Sequence, residues 1–130
     1  MLRLRLFGFI LLLTTSYAHA GCWVIGNLHG FGAYEYDQYG FKKDGFSGKV
    51  LVINFDENSP SVTDSIMTYT VISPTSMVGA YSTDLGFTME TWQISTDSKK
   101  VFMTRSRTNA GFIHDAVSSF VGDVKAKCDH

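Results

Sequence analysis

Arg105 and Arg107 stand two residues apart in the run 99–108, with Lys99 and Lys100 at its entrance. Residues two apart on a strand share a face. The pair would therefore present two guanidinium forks side by side, a geometry suited to an anionic ligand or an acidic patch on a partner. The competing reading is an exposed edge strand kept soluble by charge. A second cluster lies in residues 31–46, where Phe31, Tyr34, Tyr36, Tyr39, Phe41 and Phe46 crowd together. On a strand, Tyr34 and Tyr36 would face one side and Glu35 and Asp37 the other. Gly40, Asp44 and Gly45 mark a loop that leaves Tyr39 and Phe41 at an exposed tip. Rings with a polar end offer rigid recognition area at low entropic cost, but a small β domain also needs bulky rings for its core. The candidate binding residues are thus Tyr34, Tyr36, Tyr39, Phe41, Arg105 and Arg107.

Other chemistry finds less support. His29 and His114 are the mid-chain histidines, and Asp115 follows His114. A hydrolytic triad needs a nucleophile and an orienting group placed around the imidazole. The chain contains no G-x-S-x-G, H-E-x-x-H, P-loop or Rossmann glycine pattern. A small hydrolase remains the weakest of the functional readings, and no catalytic residue or cofactor is assigned. Asp56, Glu57, Asn58 and Asp64 could approach a hard cation, but their spacing lacks the alternating oxygen ligands of an EF-hand. A plain acidic turn is expected there, with no metal site.

Cys22 and Cys128 have no CxxC or HxxxH companions, which speaks against zinc. Two cysteines allow one intramolecular pairing, and the ends of a domain often lie close together. A Cys22–Cys128 disulfide is expected, closing a loop of about 107 residues worth on the order of 4–5 kcal/mol.

That expectation agrees with the compartment. Arg3 and Arg5 precede an apolar run over 6–13, and Ala18-His19-Ala20 is a small-x-small cleavage site. Residues 1–20 read as a secretory signal cleaved after Ala20, leaving one domain over 21–130 in the periplasm or outside the cell. Ala20-Gly21-Cys22 resembles the end of a lipoprotein signal, but His19 occupies the position where Leu is usual. A lipid anchor on Cys22 is therefore not favoured. No second long apolar run follows, so no transmembrane segment is expected after the leader. With 11 basic against 12 acidic residues, the chain lacks the basic excess of an electrostatic nucleic-acid binder.

The elements that must position these groups are short β-type runs. Residues 22–25 start a strand that Gly26-Asn27 interrupts. Residues 49–55 form the clearest strand, and their apolar residues Val50, Leu51, Val52 and Ile53 run without a break, which suggests a strand covered on both faces. Residues 66–73 form another strand, and 77–81 suggest a short edge strand. Residues 87–95 and 99–108 make a hairpin, with Phe102, Thr104 and Ser106 on one face and Val101, Met103, Arg105 and Arg107 on the other. Residues 112–127 fit either a helical stripe or, as the favoured reading, a loop or short helical turn near 113–118 followed by a strand over 119–127. The expected fold is all-β, a small antiparallel sandwich or barrel of about 6–8 strands with at most one short helix.

The functional expectation is an exported, non-enzymatic module that binds a protein partner, as an inhibitor or an immunity-type protein would. The alternative is a lipocalin-like carrier of a small apolar ligand, for which a chain of this size leaves little interior room.

Overall fold

The computed structural model describes residues 21–46, 48–109 and 114–128. The leader and the first residues of the 112–127 segment lie outside them. Nine strands and one 3-10 turn make up the described chain: β1 (Cys22–Tyr34), the turn Glu35–Asp37, β2 (Phe41–Gly45), β3 (Val50–Asn54), β4 (Ser61–Val62), β5 (Thr68–Ser73), β6 (Ser76–Thr83), β7 (Gly86–Ile94), β8 (Lys100–Asn109) and β9 (Ala116–Lys127). All ladders are antiparallel.

Eight strands follow one path, β4-β3-β1-β9-β8-β7-β6-β5. The two ends of that path, β4 and β5, are consecutive in sequence, so the chain itself spans the remaining gap. The result is a near-closed barrel. β1 is the long spine. Its first half pairs with β3 and its second half with β2, while β9 runs along its other side. Between Gly26 and His29 the β1–β9 register shifts, and Asn27 there takes φ 55°. This bulge bends the strand, as closure of a small barrel demands.

One interior core receives side chains from all eight strands of the path. Trp23, Ile25 and Leu28 come from β1, Leu51 and Ile53 from β3, and Val62 from β4. Tyr69 and Met77 come from β5 and β6, Trp92 and Ile94 from β7, Val101 and Met103 from β8, and Phe120 from β9. Strand alternation accounts for this set. On β7, Glu90, Trp92 and Ile94 are buried while Met89, Thr91 and Gln93 are exposed. An eight-stranded barrel is just wide enough for its side chains to fill it, which explains a solid core in so short a chain.

Cys22 and Cys128 form a disulfide with Cα atoms 5.2 Å apart. The bond joins the start of β1 to the end of β9, which the pairing of Trp23 with Lys127 already brings together.

Four local expectations are corrected. The apolar run in β3 is covered on one side only: Leu51 and Ile53 are buried, but Val50 is 60% exposed. β6 is not an edge, for it pairs with both β5 and β7. The last strand begins at Ala116 and not at Ser119, so neither a loop nor a helical turn occupies 116–118; Val117 and Ser118 pair with Ala33 and Gly32 of β1, and that ladder outweighs the helical spacing of the sequence. Tyr36 does not share a strand face with Tyr34, because β1 ends at Tyr34 and Tyr36 sits in the 3-10 turn.

Candidate functional site

β8 lies between β7 and β9, so its arginines are not on an edge strand. Val101, Met103, Arg105 and Arg107 share one face, as the alternation implies, and that face points into the barrel. Apolar residues occupy its first half and guanidinium groups its second. β7 changes character along the same direction, from Ile94 and Trp92 to Glu90. One end of the barrel is therefore packed solid, and the other is lined by polar and charged groups.

The polar end is organised by a row across the sheet. Tyr69 pairs with Gly79, Gly79 with Glu90, Glu90 with Arg105, Arg105 with Ser118, and Ser118 with Gly32. Glu90 is 3% exposed. Its Oε1 accepts hydrogen bonds from Trp92 Nε1 at 2.8 Å and from the Tyr69 hydroxyl, and its Oε2 accepts from Arg105 Nε at 3.1 Å. Arg105 Nη2 also lies 3.1 Å from Oε2, giving a two-pronged ion pair. A buried carboxylate is tolerable only when its lone pairs are met in this way. Burial, and then the bond to Glu90, push the Tyr69 phenol above its ordinary range. It therefore remains a neutral donor.

Two glycines make room in this row. A Cβ on Gly79 would lie 2.5 Å from the Tyr69 ring, and one on Gly32 would lie 2.7 Å from the Tyr34 ring. Each tyrosine thus lies over a glycine on its inner side. The Tyr34 hydroxyl donates to Asp44 of β2, and that bond raises the phenol's pKa. Tyr36 stacks on Tyr34 with centroids 5.3 Å apart, and the Lys42 ammonium lies 4.6 Å from the Tyr36 centroid while pairing with Asp37.

Phe46 divides the open end. It follows β2 and is tied back by its N–H to Leu28 O at 2.9 Å. Its ring meets Phe120 edge-on at 5.2 Å and lies 5.6 Å from the Arg105 guanidinium. On one side is a cavity of about 210 Å³ bounded by Tyr34, Asp44, Ala116 and Ser118. On the other is one of about 320 Å³ reaching Leu51, Met67, Tyr81 and Trp92. Phe46, Arg105 and Arg107 belong to the walls of both.

The remaining expected binding residues sit elsewhere. Tyr36, Tyr39 and Phe41 are exposed around the β1–β2 connection, and Phe41 is 75% exposed. They do not meet the arginines. Phe31 instead joins Phe102 and Val121 around an apolar depression on the outer face of β1, β8 and β9. Among the described residues, neither mid-chain histidine hydrogen-bonds a Ser or Thr hydroxyl. His29 Nδ1 contacts Asn27 O at 2.8 Å, and His114 lies 3.7 Å from an exposed Glu35. No group of three or more His, Cys, Asp or Glu side chains among the described residues could hold a metal ion.

Glu90 and Tyr69 are the site residues that sequence reasoning missed. The signal was present for Glu90, since it occupies the same strand phase as Trp92 and Ile94. Comparison with protein-family models, curated proteins and solved structures returned no match. The functional reading therefore rests on geometry.

Proposed function

We propose that the protein is an exported, non-catalytic module that binds a small molecule at the open end of its barrel. The observation that carries this reading is the hollowing of the interior beside an ordered polar network. Trp92 closes the floor, Glu90 and Arg105 fix one wall, and the chamber of about 320 Å³ falls at the small end of the range typical of ligand pockets. Apolar surface with a few converging polar groups is the usual make-up of such sites. The ligand is amphipathic rather than wholly apolar, because the arginines would be stripped of water without compensation by a pure hydrocarbon. Native mass spectrometry of the protein purified from its own host tests the reading. A co-purifying small molecule, lost on replacing Tyr81 with Trp to fill the chamber, supports it; an empty protein that also ignores an aromatic ligand panel removes it.

Export rests on the leader pattern and on a disulfide of the kind that persists in oxidising compartments. An intact mass corresponding to cleavage after Ala20 is the expected result, and a mass increment of acyl chains on Cys22 would replace it with a lipoprotein.

A second reading, contact with a protein partner, draws on the exposed rings of Phe31, Tyr36, Tyr39 and Phe41. Replacing Tyr39 and Phe41 with Ala would then abolish capture of the partner and leave the melting temperature unchanged. Inhibitor or immunity roles belong to this reading.

A further inference from the structure

We infer that Arg107 is the group that reads the ligand, and that the ligand is a monocarboxylate with a flat apolar body. The inference rests on the small-molecule reading above and specifies its chemistry.

The charged groups around the open end are Asp44, Lys49, Asp64, Glu90, Arg105 and Arg107. Glu90 and Arg105 neutralise each other. Asp44 accepts from the Tyr34 hydroxyl and from the Gly45 N–H at 2.8 Å. Lys49 and Asp64 are exposed to solvent. Arg107 differs from all of these. Its Nε is shielded from solvent and has no hydrogen-bond partner, and it forms no ion pair among the described residues. It projects from β8 between Thr88 and Ala116, neither of which can supply a counter-charge.

Arg107 is half-buried, and a half-buried guanidinium with no carboxylate beside it is ordinarily compensated. Here the compensation would come from outside the chain. The shielded Nε is closed to a ligand, but the two terminal Nη groups of this residue, which lines both cavities, form an end-on fork that matches the two oxygens of a carboxylate. Arg107 has no ion-pair partner of its own among the described residues, and a single carboxylate would supply one. A phosphate dianion would bring surplus charge close to Glu90 and Asp44. Phe46, Trp92 and Tyr81 line the larger chamber together with Arg107 and suit an aromatic body.

The experiment is a calorimetric titration of the disulfide-bonded protein at pH 7 with 2-naphthoate, 2-naphthamide and inorganic phosphate. Naphthoate is expected to bind at least tenfold more tightly than naphthamide, and phosphate is expected not to compete. Arg107→Gln should bring the acid-to-amide ratio near one while leaving naphthamide affinity unchanged, and Arg107→Lys should restore part of the preference. Lys99→Gln, on the exposed β7–β8 connection, should leave the ratio unaltered. Equal binding of acid and amide to the unmodified protein, or a preference that survives Arg107→Gln, overturns the role of Arg107 while preserving the small-molecule reading. Competition by phosphate overturns the carboxylate assignment. Failure of both naphthalene compounds to bind overturns the inference and the small-molecule reading together.

Discussion

The hydroxyl of Tyr69 donates to the Glu90 carboxylate although their strands, β5 and β7, are not neighbours. β6 lies between them and presents Gly79 at that point. The missing side chain lets the tyrosine ring lie across the intervening strand. Ser65, on the connection that spans the β4–β5 gap, meets the same hydroxyl at 2.8 Å. One phenol therefore links the closing segment of the barrel to the buried acid.

Gly79→Ala should break this link. The added methyl would begin 2.5 Å from the Tyr69 ring, so the ring must leave Glu90 or the strands must separate. A loss of about 1–3 kcal/mol is expected, the usual range for overpacking a filled interior. Chemical denaturation measures it. Tyr69→Phe keeps the ring and removes the hydroxyl, so combining the two substitutions should cost less than the sum of the separate losses.

Replacing Glu90 with Gln should destabilise the protein by more than the loss of one exposed ion pair. Removing one partner of a buried pair costs roughly 3–5 kcal/mol, because the other charge is left uncompensated. Arg105 retains some access to water, which places the expected loss toward the lower end. The double replacement Glu90→Gln with Arg105→Met, which keeps an acceptor for the Tyr69 hydroxyl and Trp92 Nε1 and removes the stranded charge, should cost less than the sum of the two single losses. A simple sum of the two single losses, seen in denaturant midpoints, would show that the pair is not coupled.

Breaking the disulfide by Cys22→Ser with Cys128→Ser should lower stability by up to about 4–5 kcal/mol through the freed loop entropy. The barrel should still form, since the Cys128 N–H also donates to Cys22 O at 3.0 Å and the β1–β9 ladder continues beyond it. Far-ultraviolet circular dichroism unchanged from the oxidised protein, with an earlier denaturation midpoint, is the expected outcome. Loss of the β signal in buffer would mean that the barrel depends on the bridge.

Acid should weaken the β1–β9–β8 junction. The Lys100 ammonium, 2.6 Å from Asp123, and then the Asn27 amide hold the Asp123 carboxyl down at about 2. A carboxyl whose folded pKa is depressed contributes stability that is fully present above its unfolded pKa of about 3.9 and fades as pH falls toward the folded value. Melting temperature should therefore drop between roughly pH 5 and pH 2. Asp123→Asn should flatten that part of the profile and lower the melting temperature at neutral pH. Coincident profiles for the two proteins would exclude the contribution.

Short-range pattern determined much of this protein. Alternation along 87–95 and 99–108 specified the β7–β8 hairpin and placed Arg105 and Arg107 in phase with Val101 and Met103, because a strand's side-chain period of two is a local property. Two cysteines at opposite ends left one pairing. What alternation does not encode is which face turns inward, or which residues meet across several strands. Only closure decided that the arginine face lines the interior, that Tyr69 reaches Glu90 over Gly79, and that Phe46 folds back onto Arg105. The β1–β2 aromatics show the same limit: bulky rings suit a core or a surface equally well by composition. The bulge in β1 and the 3-10 turn after it left Tyr36 and Phe41 outside, while Tyr34 faces the cavity. Those outcomes depend on register and curvature, which arise from the simultaneous pairing of all strands and have no signature within any one segment.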